Sequence, residues 1–355
     1  MTTRRRFCCS LALIGLGAAA GCSGDPDTSP SPSPTGTASP SPSPSSMPSP
    51  AQTTPAPSAS PTASPVNPVS MQALIQKKYD GRGLRLGRVL DRNAAYTRYA
   101  ITYLSGRLTI SGVLNVPNGA GPYPAVVLNH GYIDPAIYTT GRGLAREQDY
   151  LARRGFIVLH TDYRNHAGSS DDPRADLNLR IGYVEDVVNA VHAVKAAPKV
   201  APNRIGMLGR SMGGGITYSV LAAQPGLIDA AVVFASTSSD AAQNFNHFIR
   251  NDRGNAAITS AVIKAHGSPE ARPEFWRNMS PVNFFDRVTE PVLIHHGDSD
   301  DTCPIAWSRA AHAALTRAGK RSALHVYPGE QHAFDRLWPL SMQRTVAFLR
   351  QNLRD

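Results

Sequence analysis

One pentad limits what this chain can become: Gly209-Arg210-Ser211-Met212-Gly213, directly after the apolar run Ile205-Gly206-Met207-Leu208. The order predicts a strand that turns sharply into a helix, with a serine at the apex. Such a turn holds the apex in strained backbone geometry and lifts its hydroxyl clear of the strand. Residues two before and two after must be very small, because larger side chains would collide across the turn. Gly209 and Gly213 meet that need, and Gly214 and Gly215 give the helix room to pack closely. The predicted helix over Ile216–Gln224 stops at Pro225-Gly226. With an idle serine the same pentad is only a glycine-rich strand–helix turn, so the rest of the chain has to decide.

Around the pentad, short continuous apolar strands alternate with helices. Strands are expected at Ala125–Leu128, Phe156–His160, Ala230–Phe234, Val292–His296 and Ala323–Tyr327. Helices are expected over Leu144–Arg154, Leu177–Ala197, Ile305–Ala318 and Pro339–Leu353. Strands of this kind belong to a mostly parallel sheet covered on both faces. Before them, Arg85–Leu90, Tyr96–Leu104 and Leu108–Val116 are β-rich, and the Ser105-Gly106 turn makes the last two a hairpin on the antiparallel edge. Residues 236–287 carry no strand pattern and read as a helical insertion over the strand tips.

The N-terminal part reads differently. Residues 1–21 resemble an export signal, with Arg4-Arg5-Arg6-Phe7 in a twin-arginine-like setting and an apolar stretch too short to span a membrane. Ala19-Ala20-Gly21-Cys22 resembles a bacterial lipobox, which implies a lipid on Cys22 and attachment to the outer face of the cell membrane. Residues 22–69 are a Ser-Pro-Thr-rich tract that cannot bury enough apolar surface to order itself and reads as a tether. Residues 70–355 are then the folded domain. The net charge of +10 is scattered, with no basic run interleaved with aromatics, which argues against nucleic acid as a partner. Of four cysteines, Cys22 and Cys303 would remain in the mature chain, so no internal disulfide is expected.

A serine hydroxyl becomes a nucleophile only when a base takes its proton and a third group orients the base. After an apex serine, the expected chain order is acid, then histidine. Strand Val292–His296 leads into Gly297-Asp298-Ser299-Asp300-Asp301-Thr302-Cys303-Pro304, and strand Ala323–Tyr327 leads into Pro328-Gly329-Glu330-Gln331-His332-Ala333-Phe334. An acid loop and a histidine loop thus follow two successive strands in the required order. His130-Gly131 stands at the end of an earlier strand, and Asp162-Tyr163-Arg164-Asn165-His166-Ala167-Gly168-Ser169 at the end of the next.

From about Ala125 onward the chain resembles an α/β-hydrolase, nearest the prolyl-oligopeptidase-like and dienelactone-hydrolase-like branches. These carry H-G, G-x-S-x-G, H-G-x-x-D-x-x-V-P and a G-x-H-x-F-like loop. The resemblance implies Ser211 as nucleophile, His332 as base and Asp300 as acid, with Asp298 and Asp301 as competitors for the last role. It implies an oxyanion hole from the amide of Met212 and from Tyr132, through its amide or else its phenol. Cys303 stands where valine is usual, and Asn165 and Ala167 where glycines are usual. His295 is expected to pack, and His130 and His166 to brace nearby loops. A zinc site from His295, His296, Asp298 and Cys303 is disfavoured because consecutive strand residues point to opposite faces. Neither a metal nor a cofactor is called for.

The implied reaction is cleavage of a carboxylic ester through an acyl-enzyme. The alternative is a dipeptidyl or acylaminoacyl serine peptidase on the same triad; nothing before residue 125 is long enough to be the propeller of a full prolyl oligopeptidase. A non-catalytic, envelope-tethered binding protein is the reading from another class. Phe245, Phe248, Phe275 and Trp276 of the insertion either line the substrate pocket or pack the lid.

Overall fold

The computed structural model describes residues 65–354. The export signal, Cys22 and most of the tract 22–69 lie outside the described residues. The tract's last residue belongs to the fold, because Val69 is buried against the insertion and Ser70 caps the first helix.

A nine-stranded sheet organises the chain in the order β1-β2-β3-β5-β4-β6-β7-β8-β9. Helix α1 (Met71–Gln76) precedes β1 (Arg85–Arg92), β2 (Tyr96–Ser105) and β3 (Leu108–Pro117). These strands are antiparallel; β2 and β3 pair without a break about the Ser105-Gly106 turn, where Gly106 takes φ 59°. Then follow β4 (Tyr123–Asn129), α2 (Ala145–Ala152), β5 (Ile157–Thr161), α3 (Ile181–Lys195), β6 (Val200–Arg210), α4 (Met212–Ala223) and β7 (Ala230–Phe234). The insertion holds α5 (Ala241–Asn244), a π-helical stretch Phe245–Arg250, α6 (Ala256–His266) and α7 (Pro273–Met279). The chain closes with β8 (Val292–Gly297), α8 (Ile305–Arg317), β9 (Ser322–Tyr327) and α9 (Trp338–Asn352). From β5 to β9 every neighbouring pair is parallel.

The apolar runs are continuous because the inner strands are buried twice. Along β4, Ala125 and Val127 face one core with α1, α3, α4 and α8, while Val126 and Leu128 face the other with α2 and α9. The elbow helix is longer than predicted, starting directly after Ser211, whereas α3 starts at Ile181 rather than Leu177. Two successive left-handed residues, Leu179 and Arg180, delay it. In the loop after β5, Tyr163, Asn165 and Ala167 all have φ between 50° and 68°. The glycine path is thus kept by non-glycine residues, at a cost in strain. Arg164 anchors that loop, bonding Asp186 at 2.8 and 3.0 Å and Asp172 and Glu185 at 3.1 Å.

Strand order reverses beside β4, whose neighbours are β5 and β6, and ligands on such sheets bind beyond the carboxyl ends near that switch. There the His130 ring lies flat against Tyr163 at 4.4 Å and His160 at 5.3 Å, all three fully buried. Burial, reinforced by the neighbouring His160 and His166, pushes His130 down to about 3. Burial, with Arg98 nearby, pushes His160 down to about 3.

These depressed values set an acid limit to the fold. Both rings titrate near 6.5 when unfolded, so below that pH the unfolded chain binds more protons. Stability should be untouched above about pH 7 and fall as pH drops from about 6.5 toward 3, by up to about 1.4 kcal/mol per pH unit for each ring. Urea midpoints measured between about pH 7 and pH 5 check this, and a flat midpoint there contradicts it.

Candidate active site

Ser211 is the single residue between β6 and α4, at φ 57°, ψ −124°. Only glycine adopts that conformation freely; other residues pay about 1–3 kcal/mol. Hydrogen bonds impose it. The Ser211 amide donates to the Phe234 carbonyl at 3.0 Å, and its own carbonyl accepts from the amides of Gly214, Gly215 and Thr237. Close packing does the rest: a Cβ on Gly209 would stand 2.2 Å from the Gly213 carbonyl oxygen, and one on Gly213 would stand 1.9 Å from that of Asn129. Arg210 ties the turn to α2 through an ion pair with buried Glu147, which also accepts from Trp338 Nε1 at 2.7 Å. Burial would raise the Glu147 carboxyl, but Arg210 and Trp338 outweigh it and hold it below the usual range.

The loop after β4 passes close to the serine, since a Cβ on Gly131 would stand 3.0 Å from Ser211 Cβ. Among the described residues the next amide, Tyr132, has no protein acceptor. The amide of Met212, first in α4, has no carbonyl one turn back to donate to. One of these amides thus directly follows the serine in the chain, and the other lies one residue beyond Gly131, which approaches the serine closely. The Tyr132 ring is 53% exposed and lies under the Arg180 guanidinium at 4.4 Å, on the rim.

The acid and histidine loops are stitched together. Ser299 donates its amide to the Glu330 carbonyl, Asp298 its amide to the Tyr327 carbonyl, and Gly329 its amide to Asp298 Oδ1 at 2.7 Å. Asp298 is thereby committed to the loop and Asp301 is exposed, whereas Asp300 meets His332: Nδ1 lies 2.9 Å from Oδ2 and 3.1 Å from Oδ1. Burial alone would raise the Asp300 carboxyl. Hydrogen bonds from His296, His332 and the Cys303 amide overcome it and hold the carboxyl well below the usual range. His332 is partly exposed, and its Nε2 has no hydrogen-bond partner among the described residues.

Two expected pocket residues need correction. Phe245 and Trp276 are 1% and 2% exposed, their rings tilted against each other with centroids 4.7 Å apart in a core of the insertion with Val69, Val262, Phe275 and Met279. They hold the lid together and offer no surface to a ligand. Phe248 is half-buried at the lid's edge, against His247 and Trp307, and His247 Nε2 reaches the Thr302 carbonyl at 3.2 Å. His247, Trp307 and Arg180 carry no motif, so only the fold brings them to this rim.

His295 and His296 point to opposite faces of β8. His295 meets Tyr327 and Thr345, and His296 meets Asp300, Ser308 and the Cys303 carbonyl. His130 and His166 each bond backbone carbonyls in the surrounding loops.

The prolyl oligopeptidase family model matches residues 143–355, which include Ser211, Asp300 and His332. The chain belongs to the prolyl oligopeptidase family. With that it joins the serine peptidases and esterases of α/β-hydrolase fold. Among curated relatives, the uncharacterized peptidase YuxL of Bacillus subtilis is 27% identical over 238 residues, spanning 66% of this chain and 32% of its own length. The uncharacterized peptidase YtmA of the same organism is 26% identical over 258 residues, spanning 72% of this chain and 93% of its own. This chain thus covers about a third of the first relative and nearly all of the second. Two solved structures share the fold. The acylaminoacyl peptidase of Pyrococcus horikoshii has TM-score 0.59 and 20% identity over 74% of this chain and 43% of that one. Acetyl xylan esterase 1 from Thermoanaerobacterium sp. has TM-score 0.54 and 19% identity over 75% and 87%.

The strain at the apex can be read by substitution. Ser211→Gly should be more stable than Ser211→Ala by about 1 kcal/mol, although glycine loses more freedom on folding, because only glycine relieves the φ of 57°. Parallel urea titrations of the two variants measure this, and an alanine variant of equal or greater stability would show the apex to be unstrained.

Proposed function

We propose that this chain is a serine hydrolase that cleaves carboxylic esters through an acyl-enzyme. The observation that carries the reading is the hydrogen bond from His332 Nδ1 to buried Asp300, in a fold that presents Ser211 alone at a strained apex. In this reading Ser211 Oγ attacks the ester carbonyl carbon while His332 Nε2 takes its proton. Asp300 holds the ring in the tautomer with Nδ1–H and stabilises the cation that forms. The developing oxyanion accepts from the amides of Met212 and Tyr132. His332 then returns the proton to the departing alcohol, and water, deprotonated by the same ring, frees the acid from Ser211. No cofactor enters these steps.

An ester is favoured over a dipeptide by the charge at the rim. The charged group on Tyr132 is a cation, Arg180, and the adjacent Asp176 is tied to it at 2.7 Å. Paired in this way, Asp176 is a weak anchor for a peptide's α-ammonium group. Acylated peptides lack that ammonium, so an acylaminoacyl peptidase is the second reading, favoured by the family match.

A fluorophosphonate probe should label the wild type and neither Ser211→Ala nor His332→Ala. On a panel of p-nitrophenyl esters and acylaminoacyl amides, the ester reading expects faster turnover of the esters. Faster amide turnover would favour the peptidase, and an unlabelled but folded wild type would favour a binding scaffold. Export and lipid attachment at Cys22 are likewise proposed from sequence. Cys22→Ala should move the protein from the membrane fraction to the soluble fraction of a bacterial host, and an unchanged distribution counts against the lipid.

A further inference from the structure

The buried carboxylate of Asp300 is gripped from two sides, and only one grip belongs to the base. Its Oδ1 accepts the amides of Thr302 and Cys303, each at 2.9 Å. Its Oδ2, the oxygen nearer His332, has a second partner: His296 Nε2, at 3.1 Å. We propose that His296 is a positioning residue for the Ser211–His332–Asp300 site, donating from Nε2 to Asp300 Oδ2 so as to fix the plane of the carboxylate and temper its pull on His332. The inference rests on the serine-hydrolase reading above.

Partners at both nitrogens set the proton on His296. Nε2 also lies 2.9 Å from the Cys303 carbonyl, which can only accept, so Nε2 carries hydrogen and aims it chiefly at that carbonyl, with Asp300 Oδ2 at 3.1 Å as the second acceptor of a bifurcated contact. Nδ1 is then the acceptor for the Ser308 hydroxyl, at 2.6 Å. His296 is fully buried on β8, and Ser308, 1% exposed, comes from the first turns of α8. Strand, helix and acid loop thus hold one ring in one orientation. Without it, Oδ1 would stay pinned by two amides while Oδ2 kept only His332, and the carboxylate could pivot about the pinned corner. Losing a donor also makes a carboxylate more basic, and a more basic Asp300 holds a proton on His332 more firmly.

Other groups face this pair. The Cys303 thiol is pushed up to about 12 by burial and by the charge of Asp300, so it stays neutral. His247 bonds the Thr302 carbonyl, Asp298 is held by the Gly329 amide, and Glu330 by the amides of Asp335 and Leu337. Asp301 is exposed, and Arg146 donates to the Ala333 and Phe334 carbonyls beside the base. None of these bonds Asp300 Oδ2.

The test is the pH dependence of p-nitrophenyl ester hydrolysis by wild type, His296→Leu, His296→Gln and Ser308→Ala, each normalised to sites titrated by the fluorophosphonate. Removing one hydrogen bond to a charged group should lower kcat about tenfold in His296→Leu, with KM changed by less than about twofold. The acid limb of kcat/KM, which reports protonation of the base, should move to higher pH by about one unit. His296→Gln, which can present an N–H near the same place, should return the limb most of the way. Ser308→Ala, which only loosens the ring, should shift it in the same direction by less. A lowered kcat with wild-type limbs in all three variants would mean that His296 merely fills space, and overturns the proposal. If His296→Leu does not fold, Ser308→Ala decides alone: an acid limb and kcat identical to wild type overturn the proposal, and a limb moved to higher pH supports it. A wild type that does not react with the probe defeats the parent reading instead, before any variant is compared.

Discussion

Backbone packed on backbone at Gly213 is the contact on which the site depends. With 1.9 Å between the place of a Cβ and the carbonyl oxygen of Asn129, no side chain fits without parting β4 from the elbow helix. That approach holds the β4 loop beside Ser211, where a Cβ on Gly131 would stand 3.6 Å from the Ser211 hydroxyl. The glycines therefore set more than turn geometry: they fix the distance between two loops. The strain at Ser211 is tolerated because the pleat on either side is fully bonded and the two cores on β4 and β6 are dense.

Much of this is legible in the amino-acid sequence. Continuous apolar runs gave away strands buried on both faces, because only a sheet with helices on both sides removes the need for alternation. The serine, acid and histidine loops each followed such a run, so the carboxyl ends of β6, β8 and β9 could be assigned from pattern alone. The antiparallel hairpin was visible too, since Tyr96–Leu104 and Leu108–Val116 alternate about a glycine turn. Each of these features is encoded locally, in a run and the turn that ends it.

What stayed hidden is what tertiary packing decides. A phenylalanine in the insertion looks the same whether it lines a cleft or fills a lid. Phe245 and Trp276 pack inward with Val69, Val262, Phe275 and Met279, whereas Phe248, three residues further along the π-helical stretch, packs at the edge against His247 and Trp307. Arg180, His247 and Trp307 come from three distant segments and meet the rim only through the fold. Asn165 and Ala167 stand where glycine would announce a left-handed turn; the conformation survives because Arg164 is clamped by three carboxylates from outside the turn. Long-range ion pairs of that kind leave no periodic trace in the chain.

The choice among three aspartates shows where spacing ends and structure begins. Asp298, Asp300 and Asp301 are close enough in sequence that any of them could reach a neighbouring loop. Asp298 is spent on the Gly329 amide, which joins the acid loop to the histidine loop and so brings His332 within range. Asp301 falls on the outside of the turn, in solvent, where a hydrogen bond to a histidine would be worth little. Asp300 is left pointing inward, and its charge is stable there only because two amides and two imidazoles are directed at it. The same donors that keep it ionised also fix its plane. For this carboxylate, the solution to burial and the orientation of its neighbours are one arrangement, because His296 and His332 are directed at the same oxygen, Oδ2.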